Sequence, residues 1–193
     1  MGGSSSGCAP GSWKKALRTL AEKLHEKGLL DLKEGLIDGS FASAKKGASQ
    51  WGKPSGGKGT KIMAIAAVTS IPLAVTVDSA SPHESKLVDA TLAGSFLDRL
   101  PIRLVGDKAY DSDPLDRHLE VEYGIEMIAP NRENRSKSQD GRPLRRYKRR
   151  WAVERFFAWL QRFRRLVTRY EFHAENFLGM LHLGCMRIML RFL

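Results

Sequence analysis

The sequence predicts an α/β domain of three layers, a mixed five-stranded sheet flanked by helices. Three observations lead there. Three β-rich runs follow one another between residues 35 and 80, which favours antiparallel pairing through short connections. From residue 86 onward helical and β-rich stretches alternate, the pattern of crossovers that return strands parallel and cover a sheet with helices. At 193 residues and 21.6 kDa the chain can bury roughly 70% of its unfolded surface without a disulfide or metal staple.

Met1 to Gly11 is rich in Gly and Ser and is expected to be a disordered tail. Ser12 can cap a first helix, in which Trp13, Leu17, Leu20 and Leu24 recur at helical spacing until Gly28 stops it. Gly35 to Phe41 is a short apolar run broken by Asp38 and makes the first strand. After a loop of Gly, Lys and Ser, Lys61 to Ser70 and Leu73 to Ala80 give two more strands, joined by a turn at Ile71 and Pro72. Lys86 to Leu100 places Leu87, Val88, Leu92, Phe96 and Leu97 on one helical stripe that Pro101 ends. The fourth strand runs out at Gly106 and Asp107. Asp113 can cap the next helix, with Pro114 in its first turn and Gly124 as its stop. Ile125 to Pro130 is the fifth strand. Beyond a polar loop, a long basic helix is predicted from Leu144 to Tyr170, its apolar face formed by Val153, Phe156, Phe157, Leu160, Phe163 and Val167. A last helix runs from Glu175 to the end. Four segments result: a tail (1–11), an amino-terminal helical segment (12–34), the α/β domain (35–172) and a packing helix (173–193).

Composition excludes several classes. A hydrophobic content of 42% and a mean hydropathy of −0.33 fit a soluble globular chain. Cys8 and Cys185 cannot build a disulfide scaffold or a Cys-rich zinc site, and a reducing cytoplasm is the expected compartment. No basic stretch followed by an apolar run opens the sequence, so no secretory leader is expected. Residues 177–193 are apolar, but His182, Arg187 and Arg191 interrupt them and the stretch is short for a membrane span. The formal charge is +11, and Asn131 to Tyr170 alone holds 14 Lys and Arg against Glu133, Asp140 and Glu154. Such a localised basic surface suits a polyanion, with nucleic acid the first partner to consider, although a well-solvated basic helix has the same composition.

Three carboxylates stand where a lone charge is costly: Asp38 in the first strand, Asp107 at the end of the fourth, and Glu154 in the basic helix. Hard divalent cations such as Mg²⁺ bind through a few carboxylates, and a pair of ions can clamp an in-line phosphoryl displacement. Each carboxylate alone is equally at home as a surface charge or a helix cap. On the expected helix Tyr147, Arg150, Glu154, Gln161 and Arg165 share one stripe, a face suited to DNA phosphates. Gly52 to Gly59 nearly spells a phosphate-binding loop, but it ends in Gly instead of Ser or Thr and leads into a β-rich run, so no nucleotide cofactor is expected. Lys45, Lys46, Lys53, Lys58 and Lys61 around it are available to DNA phosphates. Trp151 and Trp159 on the basic helix are expected to pack in the core, with stacking on bases as the alternative.

Five stretches, LIDGSF, SGGKGTKIMAI, SPHESKL, LVGDKAYDSD and YKRRWAVERFFAWLQRFRRL, resemble in order the motifs of the DDE transposases of bacterial insertion sequences, in particular the insertion-sequence-5 group of the insertion-sequence-4-like superfamily. The last stretch is similar to the family's Tyr-x2-Arg-x3-Glu-x6-Lys signature, with Tyr147, Arg150 and Glu154 in register and Gln161 at the Lys position, where Arg162 or Arg165 can take over the phosphate contact. The resemblance implies an RNase H-like catalytic domain in which Asp38, Asp107 and Glu154 hold two Mg²⁺ ions, Mn²⁺ being able to substitute. It implies cleavage and strand transfer at insertion-sequence ends by a homodimer on paired ends. The DNA contacts expected are Tyr147, Arg150, Arg162, Arg165, Lys58 and Lys61. His83 and Glu84 are similar to a His-Asp pair of the family, with helix capping and catalytic support both open. Full-length members carry a further amino-terminal recognition region, whereas this sequence starts 37 residues before Asp38. A second-frame product, a truncated copy and a mis-assigned start are all open readings of that difference, and a cytoplasmic, nucleoid-associated protein is expected. The alternatives are a catalytically silent DNA-binding remnant and a nonspecific RNase H-like nuclease, and no membrane partner is expected.

Overall fold

The computed structural model describes residues 11–45, 59–133 and 141–193. Helix α1 (Gly11–Glu26) buries Leu17, Ala21 and Leu24, one residue per turn on one face, and ends before Gly28, whose φ of +68° only glycine adopts cheaply. Strands β1 (Gly35–Ala44), β2 (Gly59–Ala67) and β3 (Pro72–Ser79) pair antiparallel in succession. Helix α2 (Val88–Ala93) leads to β4 (Arg103–Val105), and α3 (Asp113–Tyr123) leads to β5 (Glu126–Ile128). Gly124, at φ +65°, stops α3. After α4 (Gly141–Leu144) come α5 (Trp151–Gln161), α6 (Arg164–Val167), β6 (Thr168–Arg169) and α7 (Ala174–Met189).

The described strands form one mixed sheet in the order β3-β2-β1-β4-β5, with β6 added to β1. Strands β4 and β5 run parallel to β1, as the helical crossovers require. The α/β class and the meander followed by parallel strands are thus those the sequence predicts, and they match the RNase H-like arrangement that the resemblance implied. Helix α5 lies on β1 and β2 through Ala152, Val153, Phe156, Phe157 and Leu160, while α7 packs on β3 and α1 packs on α7. All of these side chains belong to one continuous buried cluster.

Several details depart from expectation. The sheet has a sixth strand among the described residues, and the long basic helix is broken into α4, a 3₁₀ stretch (Arg145–Arg149), α5, α6 and β6. The break has a tertiary cause. The buried Arg169 guanidinium donates to Thr60 Oγ1 (3.0 Å), to the Glu171 carbonyl (2.9 Å) and to the Phe172 carbonyl (2.6 Å), and the Arg169 carbonyl accepts from the Lys45 amide (3.1 Å). These bonds hold the segment extended against the end of β1. Helix α2 is shorter than predicted because Ser95 bridges Ala74 and the Phe96 amide donates to the Leu73 carbonyl at 2.8 Å. Ser112, not Asp113, occupies the cap position of α3. The turn between β2 and β3 falls on Val68 to Ser70, where Arg155 donates to Ser70 Oγ and to the Thr69 carbonyl. The same guanidinium stacks on Trp151 and Trp159, and Trp151 is half exposed where core packing was expected.

Candidate active site

Strand register brings two of the predicted acids together. Leu36 pairs with Val105 in the parallel β1–β4 ladder, and two residues beyond that pair in each strand direction come Asp38 and Asp107, near enough for the charge of one to be felt at the other. Asp107 lies past the last ladder pair and caps the 3₁₀ turn Lys108–Tyr110, its Oδ1 accepting from the Ala109 amide at 2.8 Å. Asp38 is buried, and its Oδ1 accepts from the Gly39 amide at 2.9 Å. Burial pushes the Asp38 carboxyl above the usual carboxylate range, Arg150 pulls it back by hydrogen bond and charge, and the nearby Asp107 charge adds to the rise.

Arg150 is the link to the third predicted acid. Its Nη2 donates to Asp38 Oδ2 at 2.8 Å, and its Nη1 lies 3.8 Å from Glu154 Oε1, so the two carboxylates flank one guanidinium. Nη1 also donates to the Tyr147 hydroxyl at 3.4 Å, whereas Nε is buried with no partner. Burial works against the Arg150 charge, and the bonds to Asp38 and Tyr147 outweigh it, leaving its pKa raised. Glu154 itself is exposed on the first turn of α5. Among the described residues no three His, Cys, Asp or Glu side chains converge closely enough to hold a metal ion. The donor chemistry nonetheless suits a hard divalent cation: carboxylate oxygens only, one on β1 and one just past the end of β4, with the charge of one felt at the other.

The arginine-rich stretch that carries Arg150 is tied to the sheet by Glu34, a buried residue just before β1. Its carboxylate accepts from Arg146 Nε at 2.6 Å and from Arg149 Nη1 at 2.7 Å. This double ion pair fixes the entrance to α5 next to Asp38. Gln161 lines a cleft of about 40 Å³ with Ser40 and Phe41, on the same flank of β1 that α5 covers. Arg162 and Arg165 are exposed beyond the end of α5, Arg165 paired with Glu171 at 3.0 Å. Lys58 lies outside the described residues, as do Lys46, Lys53 and most of the phosphate-loop-like stretch. Lys61 is only 5% exposed and turns inward, donating to the Pro82 carbonyl at 2.6 Å with Glu84 Oε1 at 4.0 Å.

Sequence reasoning left Glu84 undecided and passed over Tyr110 and Glu34. Glu84 does not cap the 3₁₀ turn Glu84–Lys86; His83 does, accepting from the Ser85 amide. The Glu84 carboxyl is raised by burial, lowered by Lys61 and raised again by the charges of Asp38 and Asp107. Tyr110, fully buried, donates to Glu84 Oε2 at 3.4 Å. The aromatic residue three positions after Asp107 was the signal available in the sequence for Tyr110.

Residues 30–189 match the family model described as "Transposase DDE domain". The chain is 33% identical over 153 residues to a protein of Burkholderia cepacia whose name assigns it to insertion sequence element IS402 as a transposase, covering 70% of this chain and 69% of that protein. It is 30% identical over 137 residues to a Brucella ovis protein named in the same way for insertion sequence element IS6501, covering 68% of this chain and 98% of that protein. Among solved structures, a Mos1 transposase paired-end complex with the left transposon end aligns at 11% identity with a TM-score of 0.32, over 75% of this chain and 61% of that one. The Mos1 mariner paired end complex with Mn aligns at 10% identity and a TM-score of 0.33, over 93% and 60%. The chain thus spans about three fifths of each of these solved proteins.

Proposed function

The chain belongs to the transposase DDE domain family, with relatives among insertion-sequence transposases, and from that membership we propose that it is the catalytic part of such an enzyme, acting on DNA at the ends of an insertion sequence of the insertion-sequence-5 group. The observation that carries this reading is the juxtaposition of Asp38 on β1 with Asp107 just past the end of the parallel neighbour β4, with Glu154 one guanidinium away. Asp38, Asp107 and Glu154 would hold Mg²⁺ or Mn²⁺, and the bound ions would supply activation of a water or a DNA 3′-hydroxyl and stabilisation of the leaving oxygen.

The protein's own groups prepare the site. The Gly39 and Ala109 amides fix one oxygen of each aspartate, leaving the second oxygen for a cation or, at Asp38, for Arg150. Arg150, partly exposed and in contact with Tyr147, is suited to meet a DNA phosphate, and Arg162 and Arg165 would extend the basic surface along the bound strand. Inward-facing Lys61 contributes to the acidic cluster instead of that surface. A homodimer on paired ends belongs to the same proposal.

The test is a cleavage and strand-transfer assay with Mg²⁺ on DNA carrying the element's ends. Asp107→Asn is expected to reduce strand cleavage by at least about 100-fold, with DNA binding as strong as before because a negative charge has been removed. Undiminished cleavage in that variant overturns the reading. The exposed position of Glu154, held at Arg150, favours as second reading a chain that binds DNA without cutting it. Salt-sensitive binding with no cleavage in either Mg²⁺ or Mn²⁺ would establish that alternative.

A further inference from the structure

Glu84 reaches the aspartate pair from a different layer of the fold. It belongs to the short turn between β3 and α2, yet its carboxylate reaches the residue after Asp38 and the side chain of Tyr110, three residues after Asp107. On the β1 side it occupies the space over Gly39: a Cβ there would stand 2.7 Å from Glu84 Oε1 and 3.2 Å from Met63 Sδ, so only glycine leaves room for the carboxylate. The Gly39 amide in turn orients Asp38. On the β4 side Glu84 Oε2 accepts from Tyr110, the last residue of the 3₁₀ turn that Asp107 caps. Lys61 completes the seat, with its ammonium between Glu84 Oε1 and the Pro82 carbonyl.

The charge balance of this spot is unlike that of the rest of the molecule. The chain carries a net +11, yet among the described residues the carboxylates of Asp38, Glu84, Asp107 and Glu154 gather around two cations, Lys61 and Arg150. Partly buried like charges repel at considerable cost. A fold that seats a third carboxylate within electrostatic reach of two others, and has no side chain at Gly39 to displace it, stores negative potential at a point where a cation recovers it.

We propose that Glu84 is a positioning residue for cation binding at the aspartate pair: seated by Lys61 and Tyr110 over Gly39, it keeps the Asp38 and Asp107 backbones in place and adds its charge to theirs. This rests on the cation-dependent chemistry proposed above. It gives Gly39, Lys61 and Tyr110 a shared purpose as the seat of one carboxylate.

The experiment titrates Mn²⁺ into the full chain without DNA, followed by electron paramagnetic resonance, alongside the thermal midpoint of the metal-free protein. Glu84→Gln keeps the shape and the Tyr110 bond but loses one unit of charge, which beside a divalent ion corresponds to about tenfold in affinity at near-water dielectric. The expected result is weaker Mn²⁺ binding by about that factor with a metal-free midpoint unchanged or higher, and partial recovery of affinity in Glu84→Asp. Gly39→Ala, which displaces the carboxylate, is expected to weaken binding similarly. A simultaneous fall of affinity and midpoint in Glu84→Gln overturns the proposal in favour of a purely structural role. Unchanged Mn²⁺ affinity in Glu84→Gln overturns it too, and Asp107→Asn locates the failure: if Asp107→Asn abolishes binding, only Glu84 was misassigned. If Asp107→Asn also binds normally, the cation reading of the whole site fails.

Discussion

At the scale of single residues, the site is built from charges that the fold would be more stable without. Asp38 and Glu84 both have carboxyls raised by burial, and each also feels Asp107. A carboxyl whose folded pKa exceeds its unfolded value binds more protons in the native state, so its contribution to stability is fully present below the unfolded value of about 4.3 and is lost as pH rises through the folded value. Lys61, Tyr110, Asp38 and Asp107 are the groups that face Glu84, and only Lys61 opposes the rise with a positive charge. The metal-free chain is therefore expected to lose stability on going from mildly acidic to neutral pH, and Glu84→Gln to lose part of that slope. Urea midpoints measured across this range for both proteins check it. The two aspartates were legible in the sequence because a charge inside an apolar run stands out. Glu84 was not, because a polar turn gives an acidic residue no contrast.

At the scale of elements, short segments do the positioning. The run from residue 144 to 170 has helical periodicity, yet past the end of α4 at Leu144 only Trp151–Gln161 and the single turn Arg164–Val167 are α-helical. Its first part is held by side chains: Glu34 clasps Arg146 and Arg149 and so delivers Arg150 to Asp38. Glu34→Ala removes the shared acceptor and leaves three like charges, Arg146, Arg149 and Arg150, competing for Asp38 and solvent. Limited trypsin digestion of this variant is expected to cut at Arg145 to Arg149 several-fold faster than in the parent, since cleavage tracks local opening. An unchanged rate would mean that packing of α5 alone fixes the stretch. At the other end Arg169 converts predicted helix into β6 through bonds to residues over a hundred positions away, such as Thr60. Periodicity reports only which face is apolar, so long-range hydrogen bonds of this kind leave no trace in it.

At the scale of the whole molecule, the acidic spot lies at the edge of a strongly basic surface. The exposed arginines of the 3₁₀ stretch precede the place where Arg150 bridges Asp38 and Glu154, and those of α6 follow the other end of α5. If DNA phosphates lie along this surface, affinity for duplex DNA falls steeply with salt, and substituting Arg162 and Arg165 by Gln reduces the slope of log affinity against log salt by about one for each phosphate no longer neutralised. Fluorescence anisotropy over a range of salt concentrations measures this, and an unchanged slope would exclude both residues from the interface. The sequence by itself determined the α/β class, the order of the main strands and helices, the placing of one aspartate in the first strand and one at the exit of the fourth, and the basic character of residues 131–170, because these depend on local periodicity and on charge counted along the chain. Only the tertiary structure decided that Arg150 stands between Asp38 and Glu154, that Lys61 turns inward, that Glu84 fills the space over Gly39 and that the basic helix breaks. Those outcomes depend on which distant groups meet across the sheet, where burial and hydrogen bonding outweigh local preference.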